Sequence, residues 1–369
     1  MTRRRGWRLG VALAVATAVA VVVPAASQAR QTGDPRAVLD AYLAHAGPGA
    51  ALYAGAGAQA WTVTSGTAST TQHRPITPTE HFWAASQTKT FTAAVVLQLV
   101  DEGLVDLDAP VERYLPGVVA GNGHDGNAIS VRQLLQHTSG ISADYAGAQP
   151  RPDGTYAKEE LVRAGLSHPP GTGYAYSNIN YVLAGMLIER ITGEPAGQVI
   201  AQRISEPLGL TGTAYPADGD RTLDAPFLPG YRGERVGPFF YWIDTTTSRE
   251  PSFVSTAGAM TSTLTDLVAF ERALAAGDVV SPGSLAEMRE TVPVPQTKEF
   301  DYGLGLMHQT LSCGGEAWGH AGDLPSGHSS VTMVTDDGRF AALVTNTIVT
   351  STAAPTRYQV IDAALCDGR

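Results

Sequence analysis

Ser86 and Lys89 place a hydroxyl and an amine three residues apart, at the start of a run of apolar residues with helical spacing. At the mouth of a helix this spacing puts both side chains on one face. A serine hydroxyl is a poor nucleophile until a base accepts its proton, and a partly buried lysine with a lowered pKa can be that base. The pair indicates an activated serine, and the alternative is an N-cap serine followed by a solvated lysine.

Tyr176 and Asn178 form a second candidate set, between a turn rich in glycine and a predicted helix over 181–191. A tyrosine close to a lysine ammonium can be held partly as phenolate and then serve as a general base. The amide of Asn178 can donate to a substrate carbonyl and accept from the lysine. Taken singly, such residues are more often structural.

The third set is His320, Gly322 and Asp323, just before a predicted strand over 329–335. A strand edge can present a backbone N–H to an oxyanion, and glycine permits close approach of a substrate. A lone histidine between glycines is usually a turn residue. The combination of all three sets in one cleft is what indicates acyl transfer.

In these motifs the chain resembles the serine β-lactamase and penicillin-binding superfamily, specifically the branch of class C β-lactamases and secreted D-alanyl-D-alanine carboxypeptidases. The resemblance rests on Ser86-Gln87-Thr88-Lys89, Tyr176-Ser177-Asn178 and His320-Ala321-Gly322, where His-x-Gly stands in for the Lys-Thr-Gly of relatives. The order of further motifs also matches: Leu134-Leu135-Gln136-His137-Thr138-Ser139-Gly140, Glu206-Pro207-Leu208-Gly209-Leu210 and Tyr302-Gly303-Leu304-Gly305-Leu306.

The resemblance implies a role for each residue of the candidate site. Ser86 is the nucleophile that becomes acylated, and Lys89 and Tyr176 exchange its proton. Asn178 holds the acylamide of the substrate, and His320 lines the opposite strand. The implied reaction needs no metal and no cofactor.

Substrate contacts are implied as well. The backbone N–H groups of Ser86 and Asp323 would form the oxyanion hole, and Phe253 would wall the acyl side. Water releases the acyl group, or an amine takes it in transpeptidation. The expected partners are a small molecule or a peptidoglycan stem peptide, with β-lactams as possible acylating inhibitors.

The chain departs from the carboxypeptidase pattern where that branch grips a terminal carboxylate. Ala321 and Asp323 stand in the strand where hydroxyls are typical, and Met307 stands at the apparent arginine position. An acid facing the cleft would repel a substrate carboxylate. The first expectation is a D-alanyl-D-alanine carboxypeptidase or transpeptidase, and an esterase or a D-amino-acid amidase is the alternative.

Other classes fit the sequence less well. A β-lactamase needs precise placement of the hydrolytic water, which no motif reveals, and a catalytically silent binding protein would have no need of Ser86, Lys89 and Tyr176 together. The chain has no Gly-x-Ser-x-Gly elbow and no His-Glu-x-x-His zinc motif. Its formal net charge of −10 and scarcity of lysine argue against nucleic acid as a partner.

The periodicity that positions these residues predicts an α/β (α+β) fold. Helices are expected over 34–46, 90–100, 131–136, 181–191, 196–204 and 265–274, and strands over 51–53, 60–63, 303–309, 329–335 and 340–346. Strands at both ends favour an antiparallel sheet flanked by helices, built from residues 30–90 and 255–369, with a mainly helical domain inserted at 91–254. The catalytic site is expected between the two.

Residues 1–29 have the pattern of a secretory signal peptide. Four arginines precede an apolar run of about fifteen residues and a segment of small residues ending at Ala29. A membrane anchor is the alternative, but a spanning helix needs about 20 apolar residues. The mature protein is expected to be secreted, without a membrane partner.

Cys313 and Cys366 are the two cysteines of the chain. A pair in an exported protein usually oxidises, and the pair also looks like the disulfide of secreted peptidases in the same branch. Two free thiols are the alternative.

Overall fold

Eight antiparallel strands form the central sheet of the computed structural model, which describes residues 33–237, 239–349 and 355–367, besides the single residue 2. The predicted signal peptide falls almost wholly outside the described residues. Along the sheet the strand order is β2, β1, β14, β13, β12, β11, β10 and β9. The first two come from the N-terminal part of the chain and the other six from the C-terminal part, which confirms the predicted antiparallel sheet built from both ends.

The strands in chain order, including three short two-stranded sheets outside the main one, are β1 Gly49–Ala56, β2 Gln59–Gly66, β3 Phe82–Trp83, β4 Ala120–Gly121, β5 His124–Asp125, β6 Tyr231–Val236, β7 Phe239–Asp244, β8 Thr261–Ser262, β9 Val292–Pro293, β10 Asp301–Tyr302, β11 Met307–Thr310, β12 Glu316–Leu324, β13 His328–Val334 and β14 Arg339–Thr345.

The α-helices in chain order are α1 Pro35–Ala46, α2 Thr88–Asp101, α3 Val131–Leu135, α4 Lys158–Gly165, α5 Asn178–Thr192, α6 Ala196–Ile200, α7 Pro251–Val254, α8 Leu264–Ala276, α9 Pro282–Arg289 and α10 Arg357–Leu365. Every helix expected from the periodicity is present. The expected helix over 196–204 changes at Ala201 into a π-helical turn, and α4, α7 and α9 are additional.

Both faces of the sheet are buried, and the alternation along β14 shows how. Ala341 and Leu343 pack with α1 and α10 on one face, while Ala342 and Val344 face the larger core that contains α2, α5 and α8. Successive side chains of a strand point to opposite faces, so an uninterrupted apolar run is what a strand covered on both sides requires.

The hairpin of β13 and β14 turns at Asp337 and Gly338, as that pair predicts, and Gly338 has a φ of +88°. The prediction of a strand over 303–309 is wrong for its first half. The structure has a turn there, in which Gly305 has a φ of +73°, and β11 begins only at Met307. An added Cβ at Gly305 would lie 2.6 Å from the Ala93 side chain, so the glycine lets this turn pack against α2.

Cys313 and Cys366 are joined in a disulfide, with their Cα atoms 5.6 Å apart. The bond ties the turn after β11 to the C-terminal end of α10. Residues Thr32–Arg369 group as one compact unit, so the predicted boundaries of an inserted domain at 91–254 stay a prediction. None of the described helices combines the length and the hydropathy that a membrane span requires.

Candidate active site

Ser86 lies in a short 3₁₀ turn, Ala85–Gln87, that leads directly into α2. Its side chain is half-buried at the floor of a cleft. Ala85, immediately before it, has a φ of +51°, a left-handed conformation that costs energy for a residue with a Cβ. The turn thus holds the serine at the mouth of the helix in a conformation that the surrounding structure must enforce.

Lys89 is fully buried one turn further along α2. Its Nζ lies 3.0 Å from Ser86 Oγ, and it donates to Asn178 Oδ1 and to the carbonyl oxygen of Ala257, both at 2.8 Å. Burial lowers the pKa of Lys89 well below its usual value. A neutral amine would use its two N–H groups for the two oxygens that can only accept, which leaves its lone pair facing the Ser86 hydroxyl.

Tyr176 lies beside both Ser86 and Lys89. Its ring centroid is 4.7 Å from Lys89 Nζ. Burial raises the pKa of the Tyr176 phenol well above its usual value, and a hydrogen bond with Ser86 opposes this shift without reversing it. The sequence suggested a partial phenolate at Tyr176, whereas these surroundings favour the neutral phenol beside a neutral lysine in the free enzyme.

Asn178 is the first residue of α5, which brings its side chain to the same point. Its Oδ1 accepts from Lys89, and its Nδ2 donates to the hydroxyl of Tyr145 at 3.0 Å. One N–H of the amide remains for a substrate. The ring of Phe253, expected to wall the acyl side, is half-buried between Tyr145 and Tyr156 at centroid distances of 4.9 Å from each.

Strand β12 forms the opposite wall and contacts the Ser86 turn closely. A Cβ added at Gly322 would lie 2.1 Å from the carbonyl oxygen of Ala84 and 3.1 Å from the Ser86 nitrogen. No larger residue fits there, so the glycine lets β12 approach the Ser86 turn closely. The expected close approach of a substrate at Gly322 stays a prediction. In the described residues β11 pairs with β12 only as far as Gly319, so the outer edge of β12 beside Ser86 has no strand bonded to it.

His320 is buried behind this wall. Its Nδ1 lies 2.5 Å from the carbonyl oxygen of Ala321, which can only accept, so the ring proton belongs on Nδ1. The hydroxyl of Tyr302 then donates to Nε2 at 2.9 Å. Burial, with Lys89 nearby, lowers the pKa of His320 to about 3. His320 thus lies in the strand opposite Ser86, as expected, but the cavity wall is formed by Ala321 and Asp323, while both ring nitrogens of His320 are engaged within the protein.

Asp323 does face the cleft, a point that the sequence left open. Its carboxylate is about two-fifths exposed and accepts from Nη1 of Arg357 at 2.8 Å from each oxygen. Arg357 is the first residue of α10 and also donates to Ser329 Oγ at 3.3 Å. Asp323 of β12 is therefore paired with the guanidinium of Arg357, a residue that no sequence motif indicated.

The cavity beside Ser86 has a volume of about 840 Å³. Besides residues already described it includes aromatic, apolar and polar side chains of the loop before β10 and of α10. Glu299 adds a second carboxylate, and the Thr356 hydroxyl donates to it. The residues that line the cavity are Ser86, Tyr174, Ala175, Tyr176, Asn178, Val294, Gln296, Thr297, Glu299, Phe300, Met307, Ala321, Asp323, Arg357 and Tyr358.

Three functional candidates were missed from the sequence, namely Tyr145, Glu299 and Arg357. Each is a common residue type in a loop or at a helix end and stands in no motif. Only the fold brings Glu299 and Arg357 to the cleft and places the hydroxyl of Tyr145 against Asn178. Within the part of the chain that the structure describes, no group of His, Cys, Asp or Glu side chains is arranged to hold a metal ion.

The fold and this arrangement define a β-lactamase-fold serine hydrolase. The β-lactamase family model matches residues 35–365, so the chain belongs to that family.

Solved structures of two relatives superpose over 90% of this chain. A D-stereospecific amidohydrolase from Streptomyces sp. is 38% identical, with a TM-score of 0.79 and 98% of its own chain covered. A D-amino acid amidase from Ochrobactrum anthropi, complexed with D-phenylalanine, is 28% identical, with a TM-score of 0.76 and 97% covered.

Curated relatives include penicillin-binding protein 4 of Amycolatopsis lactamdurans, 29% identical over 73% of this chain and 73% of that protein. An unguisins hydrolase of Aspergillus campestris is 29% identical over 79% of this chain. The chain spans 57% of the length of that hydrolase. It spans about a third or less of the length of several other curated relatives.

Proposed function

We propose that the protein is an exported amidohydrolase that cleaves amides and short peptides of D-amino acids carrying a free α-ammonium group, through an acyl-enzyme on Ser86. The proposal rests on the charged side chains that line the cavity. Glu299 and Asp323 contribute two carboxylates, and Arg357 contributes one guanidinium. Because Asp323 and Arg357 pair with each other, the carboxylate of Glu299 is left to attract a cation such as an ammonium group.

The relatives support the stereochemical part of the proposal. The Streptomyces structure is named as D-stereospecific, and the Ochrobactrum protein is named as a D-amino acid amidase. Both superpose over nine-tenths of this chain. The preference for D-amino acids comes to this chain from that similarity, and the preference for a free amine comes from its own cavity.

Acylation would begin with the neutral amine of Lys89, which accepts the proton of Ser86 Oγ as that oxygen attacks the substrate carbonyl carbon. The oxyanion lies toward the backbone N–H groups of Ser86 and Asp323. The neutral phenol of Tyr176 gives its proton to the leaving nitrogen as the C–N bond breaks. The ammonium of Lys89 then returns a proton to the Tyr176 oxygen, leaving an ester on Ser86 and a free amine.

Deacylation would use the same groups in reverse. Water attacks the ester carbonyl while Tyr176 accepts a proton from it and passes its own proton to Lys89. Ser86 Oγ leaves with the proton that Lys89 carries, which regenerates the free enzyme and releases the D-amino acid. An amine in place of water would give a new amide, as in transpeptidation.

A comparison of four substrates tests the proposed function: D-phenylalanine amide, its L enantiomer, N-acetyl-D-phenylalanine amide and a peptide ending in D-Ala-D-Ala. We expect kcat/KM to be greatest for D-phenylalanine amide, with a loss of at least about tenfold on acetylation, since one charge interaction in a cleft amounts to about 1–2 kcal/mol. Glu299→Gln should raise KM for the free amine and leave the acetylated substrate unaffected. A preference for the acetylated amide would overturn the proposal.

A D-alanyl-D-alanine carboxypeptidase is the second candidate, and Arg357 is the observation that favours it. A guanidinium in the cleft can bind a terminal carboxylate when it is released from Asp323. The same substrate panel separates the two functions, because a carboxypeptidase would prefer the peptide ending in D-Ala-D-Ala. Acylation of Ser86 by β-lactams is compatible with either.

Export rests on residues 1–29 and is also a proposal. The arginine-rich start, the apolar run and the small residues before Arg30 support cleavage, and the disulfide suits an oxidising compartment. N-terminal sequencing of the protein from a culture supernatant should give a chain that begins near residue 30. Full-length protein retained in the cells would contradict export.

A further inference from the structure

We propose that His137 is a positioning residue that fixes the phenol of Tyr176 for proton transfer to and from Ser86. It belongs to the motif of residues 134–140, which the mechanism above leaves without a role. The inference rests on the proposed function only in that Tyr176 is the group that moves the proton. It does not depend on which substrate is cleaved.

His137 holds the chain on both sides of Tyr176. Its carbonyl oxygen accepts from the backbone N–H of Ala175 at 2.9 Å, and its ring Nδ1 accepts from the backbone N–H of Ser177 at 3.2 Å. Between these two contacts its ring packs against the Tyr176 ring, with centroids 4.3 Å apart. One residue therefore fixes the residue before the tyrosine, the residue after it and the phenol ring itself.

The turn that carries His137 is bonded to the segment before Tyr176. His137 stands just past the end of α3 and has a φ of +59°, a left-handed conformation that commonly ends a helix. Gly140, with a φ of +76°, accepts through its carbonyl oxygen from the N–H of Gly171 at 2.8 Å. The turn is thus bonded a second time to the segment that leads into Tyr176.

The imidazole has a defined proton state. Nδ1 accepts from Ser177 and lies 3.2 Å from Asn180 Nδ2, which can only donate, so the ring proton belongs on Nε2. Asn180 is itself fixed, because its Oδ1 accepts from the hydroxyl of Ser139 at 2.7 Å. Burial first, and then the proximity of Lys89, lowers the pKa of His137, which agrees with a neutral ring.

A neutral, fully buried ring cannot exchange protons with the substrate, so its contribution is geometric. Nε2 has no hydrogen-bond partner among the described residues and lies within a group of aromatic rings. The centroids of Tyr181 and Tyr302 are 5.2 and 4.9 Å from that of His137. These rings leave the imidazole no room to turn away from Tyr176.

Three variants test the inference. His137→Asn keeps an acceptor oxygen near the position of Nδ1 and tolerates a positive φ, whereas His137→Phe keeps the ring and removes the acceptor. His328→Asn is the control, since His328 is also fully buried but bonds to the carbonyl oxygen of Leu228, away from the cleft lining. Melting temperatures of all three establish that each protein is folded at the assay temperature.

We expect His137→Phe to lower kcat for the amide by about 10- to 100-fold, the scale of a misplacement near 1 Å, with KM changed less than about threefold. His137→Asn should recover most of this loss, and His328→Asn should keep the wild-type kcat. In a Tyr176→Phe background, His137→Phe should cost less than about threefold, because no hydroxyl is left to misplace.

Two results would overturn the inference: wild-type kcat in folded His137→Phe, or the same loss with and without the Tyr176 hydroxyl. The deacylation rate after the burst with a nitrophenyl ester gives the same comparison without any amide substrate, because Tyr176 is the group that accepts the proton of the attacking water. If no amide is cleaved while deacylation still depends on His137, the proposed substrate fails and the positioning role stands.

Discussion

Arg357 holds the carboxylate of Asp323 across the catalytic cleft, with Nη1 2.8 Å from both carboxylate oxygens. Arg357 is the only lysine or arginine among the described residues that line the cavity. Its partner Asp323 stands in the strand where relatives with carboxypeptidase activity are expected to have hydroxyl groups. The pair therefore determines whether a substrate carboxylate finds a cation in this cleft.

Asp323→Asn should shift the substrate preference toward carboxylates. The substitution leaves the backbone N–H of residue 323 in place and releases the guanidinium of Arg357. We expect kcat/KM for a peptide ending in D-Ala-D-Ala to rise on the order of tenfold, which corresponds to about 1.4 kcal/mol. The double variant with Arg357→Gln is the control and should lose the gain. An unchanged preference would show that Arg357 does not reach the bound substrate.

Tyr176→Phe should affect amides and activated esters differently. An amide nitrogen must be protonated before it can leave, and the neutral phenol is the group placed to supply that proton. We expect kcat for D-phenylalanine amide to fall about 10²- to 10⁴-fold, the usual range for a general acid. Release of nitrophenolate from a nitrophenyl ester needs no proton, so its acylation burst should slow far less. Equal losses for both substrates would contradict the assignment of Tyr176 as the acid.

The acidic limb of the pH profile should report Lys89. The substrate for this profile is a nitrophenyl ester without an amine, because an α-ammonium group would itself titrate in this range. Because the base must be neutral, kcat/KM for that ester is expected to rise as the pH rises through the lowered pKa of Lys89 and then to stay level. The raised pKa of Tyr176 keeps the phenol protonated across that plateau. Lys89→Arg cannot supply a neutral base near pH 7 and should lower kcat at least about 10²-fold. A rate that falls between pH 6 and 9 in the wild type would contradict a neutral lysine.

Loss of the disulfide should weaken the fold and spare the chemistry. Replacing Cys313 and Cys366 by serine opens a loop of 53 residues, which costs about 4 kcal/mol on the chain-entropy model. A fall in the denaturant midpoint should therefore accompany an unchanged kcat at 25 °C. A large loss of kcat would instead show that the bond also positions α10 and Arg357 at the cleft.

The parts of the site predicted from sequence are those that local spacing determines. One turn at the start of α2 brings Ser86 and Lys89 together, and α5 begins at Asn178, so these side chains could be assigned from short motifs. The sheet was predictable because β1 and β14 have apolar runs and a clear Asp-Gly turn joins β13 to β14. Strands of two residues, such as β9 and β10, carry too short a pattern to be recognised.

The errors concern side-chain direction and long-range partners. Side chains alternate between the two faces of β12, so Ala321 and Asp323 line the cleft while His320 lies behind it. The sequence prediction did not assign positions within this strand to either face. His137 stood out only as a member of the motif of residues 134–140, since nothing in its neighbours indicates complete burial. Arg357 reaches Asp323 only because α10 packs at the edge of the cleft.

The most direct test of the central claim is intact-protein mass spectrometry after incubation with a labelled penicillin or a nitrophenyl ester. We predict a mass increase of one acyl group per chain, mapped to the peptide that contains Ser86 and absent from Ser86→Ala. The same variant should show no turnover above background. Acylation at another residue, or turnover that survives the loss of this hydroxyl, would contradict the account.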